Sequence, residues 1–238
     1  MPEASVFATP LFGLTLTLAV YLLAHAVYVR LGQAPLANPV LWGIAAVALV
    51  LLAAGIPYED YFAGAAFIHF LLGPAVVAMA WPLWVRRHEL RRRWQRLLRA
   101  ALLGGAAASG SAVGLGWLLG VPADVLLSLA PKSTTTPVAM GIAEAIGGIA
   151  PLAAVFAILS GLVGALTGRY LFDLLGVPRT EAGWMARGFA LGTAAHGIGA
   201  ARAIQVNAGA GAYAGLALGC QVVVSAILIP LIARIFAG

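Results

Sequence analysis

The chain returns repeatedly to apolar runs long enough to cross a bilayer, and that recurrence restricts its fold more than any motif. The first covers about residues 7–29 and meets its first charge at Arg30. Others follow at about 39–56, 62–84, 97–119, 125–148, 149–171, 184–206 and 213–235. A helical span needs roughly twenty apolar residues. The runs therefore predict an all-α, polytopic membrane protein with about eight membrane segments, at least two of them broken, in a single domain over 1–238. Glycine and proline interrupt the runs at helical spacing, without the alternation of a β-barrel strand. Hydrophobic residues make up 62% of the chain and charged residues 9%, so no soluble domain is expected beside the bundle.

Pro2 and Glu3 precede the first run, which has no basic leader and is longer than a signal-peptide core. It is expected to remain as the first helix. The net charge of +6 suggests nucleic acid until the basic residues are located: half of the fourteen fall between Arg86 and Arg99. There Leu90, Trp94, Leu97 and Leu98 recur at helical spacing, which reads as an amphipathic basic connector lying along the cytoplasmic leaflet. Aromatic side chains suited to stacking on bases are absent apart from Trp94, so the expected partner is the lipid bilayer and not nucleic acid. Cys220 is the only cysteine, which excludes an intramolecular disulfide and leaves a small packing residue.

One run is interrupted by Ala130-Pro131-Lys132-Ser133-Thr134-Thr135-Thr136-Pro137. Pro131 cannot extend a helix through itself, whereas Pro137 suits the start of a new one with Thr136 as N-cap. Two half-helices are expected, the second presenting unpaired N–H groups and a partial positive charge beside Lys132. That is an anion site, and unwound backbone at membrane depth is tolerated where it lines a cavity. The alternative is a proline kink with Lys132 snorkelling to the headgroups. Glu144 lies two turns beyond Pro137 among small apolar residues, which makes it the candidate proton or cation site, or an ion-pair partner of Lys132.

Gly73-Pro74 repeats the construction upstream, with His69 a turn earlier, and Val77-Ala78-Met79 echoes Val138-Ala139-Met140, as an internal repeat would. Ala195-His196-Gly197-Ile198-Gly199 makes a third break conceivable, flanked by Arg187 and Arg202. His25 reads as an interfacial histidine. Glycines four apart, at 110 and 114, 164 and 168, 188 and 192, and 211, 215 and 219, read as helix-packing positions. No phosphate loop, dinucleotide fingerprint or nucleophile motif is present, so no cofactor, metal or enzymatic activity is expected.

Together Phe70-Leu71-Leu72-Gly73-Pro74-Ala75, the 131–137 stretch, Glu144-Ala145-Ile146-Gly147-Gly148 and Ala195-His196-Gly197-Ile198-Gly199-Ala200-Ala201-Arg202-Ala203 resemble the LrgB/CidB family over nearly the whole chain. The resemblance implies two functions. One is antiholin-like modulation of murein hydrolase export and autolysis beside a small LrgA/CidA-like membrane protein. The other is transport of small carboxylates, as in the plastid glycolate/glycerate translocator and in bacterial pyruvate uptake. Fold alone does not choose between them. The residues favour a proton- or cation-coupled carrier in a bacterial inner membrane, with a homo-oligomer, most simply a dimer, as its assembly. Its expected substrate residues are Lys132, Ser133, Thr134, Thr135, Thr136, His196, Gly197, Arg202, Gly73 and Pro74, with Glu144 and His196 in coupling. The acid expected in this family just before the small-aromatic run near the C-terminus is missing from Gly209-Ala210-Gly211-Ala212-Tyr213. If that acid couples transport to a cation elsewhere in the family, then here Glu144 must do it alone, or the coupling differs.

Overall fold

The computed structural model describes residues 10–78, 80–85 and 87–237; Pro2, Glu3 and Phe7 at the start of the first run, Met79 of the sequence echo and Arg86 of the basic stretch lie outside them. Regular structure among the described residues is helical: α1 (Pro10–Arg30), α2 (Pro39–Ala54), α3 (Tyr58–Ala78), α4 (Ala80–Val85), α5 (Arg87–Leu118), α6 (Ala123–Leu129), α7 (Thr136–Ala145), α8 (Ala150–Leu174), α9 (Glu181–Val206) and α10 (Ala208–Ala237). The contacts divide the chain into two compact units, Met1–Val76 and Val77–Gly238. Large apolar side chains such as Leu22, Leu52, Phe67, Trp117 and Leu174 face outward, while the buried clusters are dominated by alanine. Lipid is the solvent for such a surface, and small residues let helix backbones approach.

Among the described residues, four helices are long and apolar enough to cross a membrane: Leu11–Arg30, Arg91–Leu118, Ala150–Leu174 and Ala208–Ile235. The other expected segments fall short for local reasons. Helix α2 has 16 residues, α6 and α7 have 7 and 10, and α9 carries Arg187 and Arg202 and doubles back on itself.

In the first unit, Asn38 caps α2 by accepting from the Val40 and Leu41 N–H groups, and Gly55 ends it in the left-handed conformation. Gly13 of α1 lies against the Tyr61 carbonyl of α3, with no room for a Cβ, and Thr17 Oγ1 meets the Tyr61 hydroxyl at 2.8 Å. The expected break at Gly73-Pro74 does not occur. Helix α3 continues through Pro74 to Ala78, so the break that precedes Val138-Ala139 has no counterpart before Val77-Ala78. A proline removes one helical hydrogen bond, and a long apolar helix in lipid tolerates that loss.

The second unit is built around α8. Its N-terminal end begins at a closed hairpin: Ser128 Oγ, in α6, accepts from the Ile149 N–H at 2.6 Å, and Gly148 lies against the Ser128 backbone. The twenty residues between leave that point and come back to it, outward through 129–135 and back along α7, whose Ala139 and Ala143 pack on Ala153 and Ala157 of α8. A second hairpin starts from the other end of α8. Along its first arm, Gly168, Gly164 and Gly161 of α8 lie against Leu191, Ala195 and His196 in turn. At His196 the backbone leaves helical geometry (φ 40°, ψ −133°), and the chain reverses. The Cβ position of Gly199 lies 2.7 Å from the Leu191 carbonyl, although eight residues of straight helix would hold the two roughly 12 Å apart. The reversed arm ends at Asn207, which caps α10 through Ala210 N.

Helix α10 runs alongside the first arm of α9, with Gly188 and Gly192 against the Ala210 and Ala214 carbonyls. Helix α5 runs the same way, since Leu97 and Ala101 join Phe189, Tyr213, Leu216 and Ala217 in one cluster and Gly104 and Gly105 meet Thr193 and Gln221. The basic stretch is therefore no separate surface connector: between His88 and Leu103 nothing breaks a helix, and α5 continues from it into the bilayer-length run as 32 residues. Gly110 and Gly114, expected as packing positions, have nothing within 4 Å of where a Cβ would stand.

Candidate functional site

Sequence dictates each turn of the site before packing brings the turns together. Pro131 interrupts α6, and the chain continues as single turns, with Lys132 N bonded to Leu129 O at 3.2 Å and Thr134 N to Pro131 O at 2.9 Å. Thr134 Oγ1 also donates to Pro131 O at 2.8 Å. The N-cap of α7 is Thr135, one residue before the expected Thr136, and its side chain makes no capping bond; Thr136 and Pro137 form the first turn. The fixed φ of proline suits that position, and the cap shifts because Thr136 already has helical geometry.

Ser133, Thr134 and Thr135 are almost wholly buried, and Lys132 is half-buried. Ser133 Oγ and Thr135 Oγ1 have no hydrogen-bond partner. A buried hydroxyl without a partner costs about 1–3 kcal/mol, so two in three residues require a reason. Because α7 starts here, its first N–H groups and its positive dipole end face the same turn.

The second hairpin brings His196 to this place. Its Nε2 donates to Ala157 O at 2.7 Å, which leaves Nδ1 as the ring atom able to accept a proton. Ala157 also belongs to one buried cluster with Ala139, a turn from the start of α7, so the two hairpins reach the same part of α8 from opposite ends. Lys132 is close enough for its charge to act on the His196 ring. A positive φ at a residue with a Cβ is strained, and Gly197 beside it eases the reversal. Gly161 makes the space for the imidazole.

The structure thus brings together Lys132, Ser133, Thr134, Thr135, Thr136, His196 and Gly197. It places Arg202 elsewhere, in a cavity at the base of the second hairpin with Arg169, Arg179 and Arg187. Gly73 and Pro74 belong to α3, and His69, one turn before them, meets the Phe62 ring edge-on at 5.4 Å. Glu144 has an exposed side chain at the end of α7 opposite the Lys132 turn, and the pair makes no salt bridge. No group of three His, Cys, Asp or Glu able to hold a metal occurs among the described residues.

Two buried polar positions escaped the sequence reading. Thr193 Oγ1 and Gln221 Oε1 lack partners, and Gln221 Nε2 donates to Ser225 Oγ at 2.9 Å. The signal was present: Gln221 and Ser225 stand four apart in an apolar run and so share one helix face.

Outward-facing apolar helices around a polar centre, with two opposed helical hairpins bringing a lysine and a histidine to one place, define a helical membrane protein with a buried polar site. The LrgB-like family model matches residues 17–235, and the chain belongs to that family. It is 33% identical over 189 residues to an uncharacterized protein of Haemophilus influenzae, covering 79% of this chain and 80% of that one. It is 35% identical over 190 residues to the uncharacterized protein YxaC of Bacillus subtilis, covering 80% of each. With the holin-like protein CidB of Staphylococcus epidermidis it shares 27% identity over 221 residues, 93% of this chain and 94% of that one. No solved structure matches.

Proposed function

We propose that this protein is a secondary carrier of small carboxylates such as glycolate, glycerate or pyruvate, coupled to a proton or another cation, and not an enzyme. The observation that carries the reading is the pair of buried, partnerless hydroxyls of Ser133 and Thr135 beside Lys132, at the start of α7 and opposite His196. Hydroxyl and N–H donors around a lysine match a carboxylate, and a site between opposed hairpins can open by movement of either one. Lys132 supplies the charge, the hydroxyls orient the carboxylate, and His196 Nδ1 or Glu144 takes up the coupling proton.

Arginine places the molecule in its membrane. Because α5, the first arm of α9 and α10 run the same way, Arg87, Arg91, Arg92, Arg93, Arg96 and Arg99 share one end of the second unit with Arg169, Arg179, Arg187 and Arg202. By the positive-inside rule that end faces the cytoplasm of a bacterial inner membrane.

Uptake of labelled glycolate, glycerate and pyruvate into proteoliposomes tests the carrier reading. Lys132→Gln removes the charge and Lys132→Arg changes its donor geometry, so both variants should insert normally and lose most uptake. Undiminished uptake by Lys132→Gln would refute the assignment.

The second reading is favoured by a relative's name, which supports it more directly than it supports transport. As a relative of a holin-like protein, the chain would act as an antiholin-like regulator of murein hydrolase export and autolysis, assembled with an LrgA-like partner. Activity would then follow packing glycines such as Gly188 and Gly192 and ignore Lys132. An autolysis assay on Lys132→Gln cells separates the two readings.

A further inference from the structure

The cavity at the base of the second hairpin is a different place from the turns that meet at Lys132. It measures about 170 Å³, and Arg169, Phe172, Arg179, Trp184, Arg187 and Arg202 are on its wall. Arg187 and Arg202 stand nine and six residues from His196 along the two arms, roughly 13 Å and 9 Å of helix. The lining contains no acidic side chain. Asp173 reaches two of the arginines, bonding Arg187 at 2.7 Å and Arg179 at 2.9 Å. Even with Arg202 left aside, one carboxylate faces three guanidinium groups.

Arg187 makes the excess charge notable. Its side chain is 5% exposed, its guanidinium lies 5.6 Å from the Phe172 ring and 5.4 Å from the Trp184 ring, and its Nε has no hydrogen-bond partner. A topological signal requires only positive charge near the membrane surface. It requires neither a cavity nor an arginine fixed by aromatic rings, an aspartate and the Val177 carbonyl. Fixed, forked guanidinium groups with excess charge are the arrangement that binds phosphate through paired hydrogen bonds.

We propose that this cavity is a second anion site, for a phosphate group, which clamps the base of the second hairpin to the end of α8. The phosphate is either the headgroup of an anionic lipid or a soluble phosphate. Arg169 contributes from α8, Arg179 from the link, and Arg187 and Arg202 from the two arms of α9, so one bound group ties together every segment that must shift if the hairpin moves.

The test uses the full chain in phosphatidylcholine nanodiscs. One arm measures the melting temperature with inorganic phosphate against chloride at equal ionic strength. The other measures retention of phosphatidylglycerol against phosphatidylcholine by native mass spectrometry. The double variant Arg169→Gln/Arg179→Gln removes two exposed arginines and leaves the contacts of Arg187 with Asp173, Val177 and the rings in place, so folding is not at risk. The expected result is a loss of about tenfold or more in apparent affinity for whichever probe binds. Binding of phosphate alone identifies a soluble ligand, and selective retention of phosphatidylglycerol identifies a lipid. Lys132→Gln should keep that affinity within about twofold, because distant sites act independently. The proposal is overturned if neither probe binds, if the double variant binds as well as the wild type, or if Lys132→Gln abolishes binding.

Discussion

Replacing Gly161 by alanine probes the centre of the site without touching a polar atom. A Cβ there would stand 2.8 Å from His196 Nε2, 2.9 Å from Cε1 and 2.9 Å from Ile198 Cδ1. The imidazole can yield only by giving up its bond to Ala157 O, which is buried. Overpacking of this kind costs about 1–3 kcal/mol and an unmade buried hydrogen bond about 1–3 kcal/mol more. Alanine returns about 0.5–1 kcal/mol of helix propensity. The net expectation is about 1–5 kcal/mol of destabilisation, read by thermal unfolding in detergent, together with loss of carboxylate uptake. Gly141→Ala is the control, since nothing lies within 4 Å of its Cβ position and the same propensity gain should leave it as stable as the wild type or slightly better. In a His196→Ala background the Gly161→Ala cost should shrink by about 1 kcal/mol or more, because the colliding ring is gone. Equal costs in both backgrounds would show that Gly161 and His196 are not in contact, and the meeting of the hairpins at Ala157 would fall with them.

Glu144→Gln should uncouple uptake from an imposed pH gradient while exchange of bound substrate persists; if accumulation still follows the gradient, His196 is the next candidate for the proton. A cysteine introduced at Gln95, near the start of α5, should resist membrane-impermeant reagents added outside intact cells, and ready labelling would invert the orientation. Gly192→Ala puts a methyl group onto the Ala214 backbone carbonyl, which has no flexible end to give way. It should cost about 1–3 kcal/mol by thermal unfolding, and a neutral result would show that α9 and α10 are further apart.

Legibility in the sequence followed the range of the interaction concerned. The turn at 131–137 could be read because Pro131 and Pro137 act on their own backbone, and the membrane class because each apolar run faces lipid whatever its neighbours do. The small error at the cap, Thr135 for Thr136, is also local: either threonine can precede Pro137. Gly73-Pro74 misled because a proline's lost bond breaks one helix and is absorbed in another, depending on what surrounds it. The basic stretch from Arg87 to Arg99 carried its helical period openly, but only the absence of any breaker before Leu103 joined it to α5.

What the sequence by itself determined is therefore a helical membrane protein with a lysine and threonines at an interrupted helix and a histidine-glycine stretch elsewhere. Only the tertiary structure decided that the two meet. That meeting depends on α9 reversing at His196, which follows from local and distant contacts: Gly161 leaves room for the ring, the Ala157 carbonyl holds it, and Gly199 lets the second arm lie against the Leu191 carbonyl. The same reversal carries Arg202 away from the lysine and sets it beside Arg187. No periodicity along the chain records that separation, because it depends on the direction of the second arm and not on the distance between the residues in sequence.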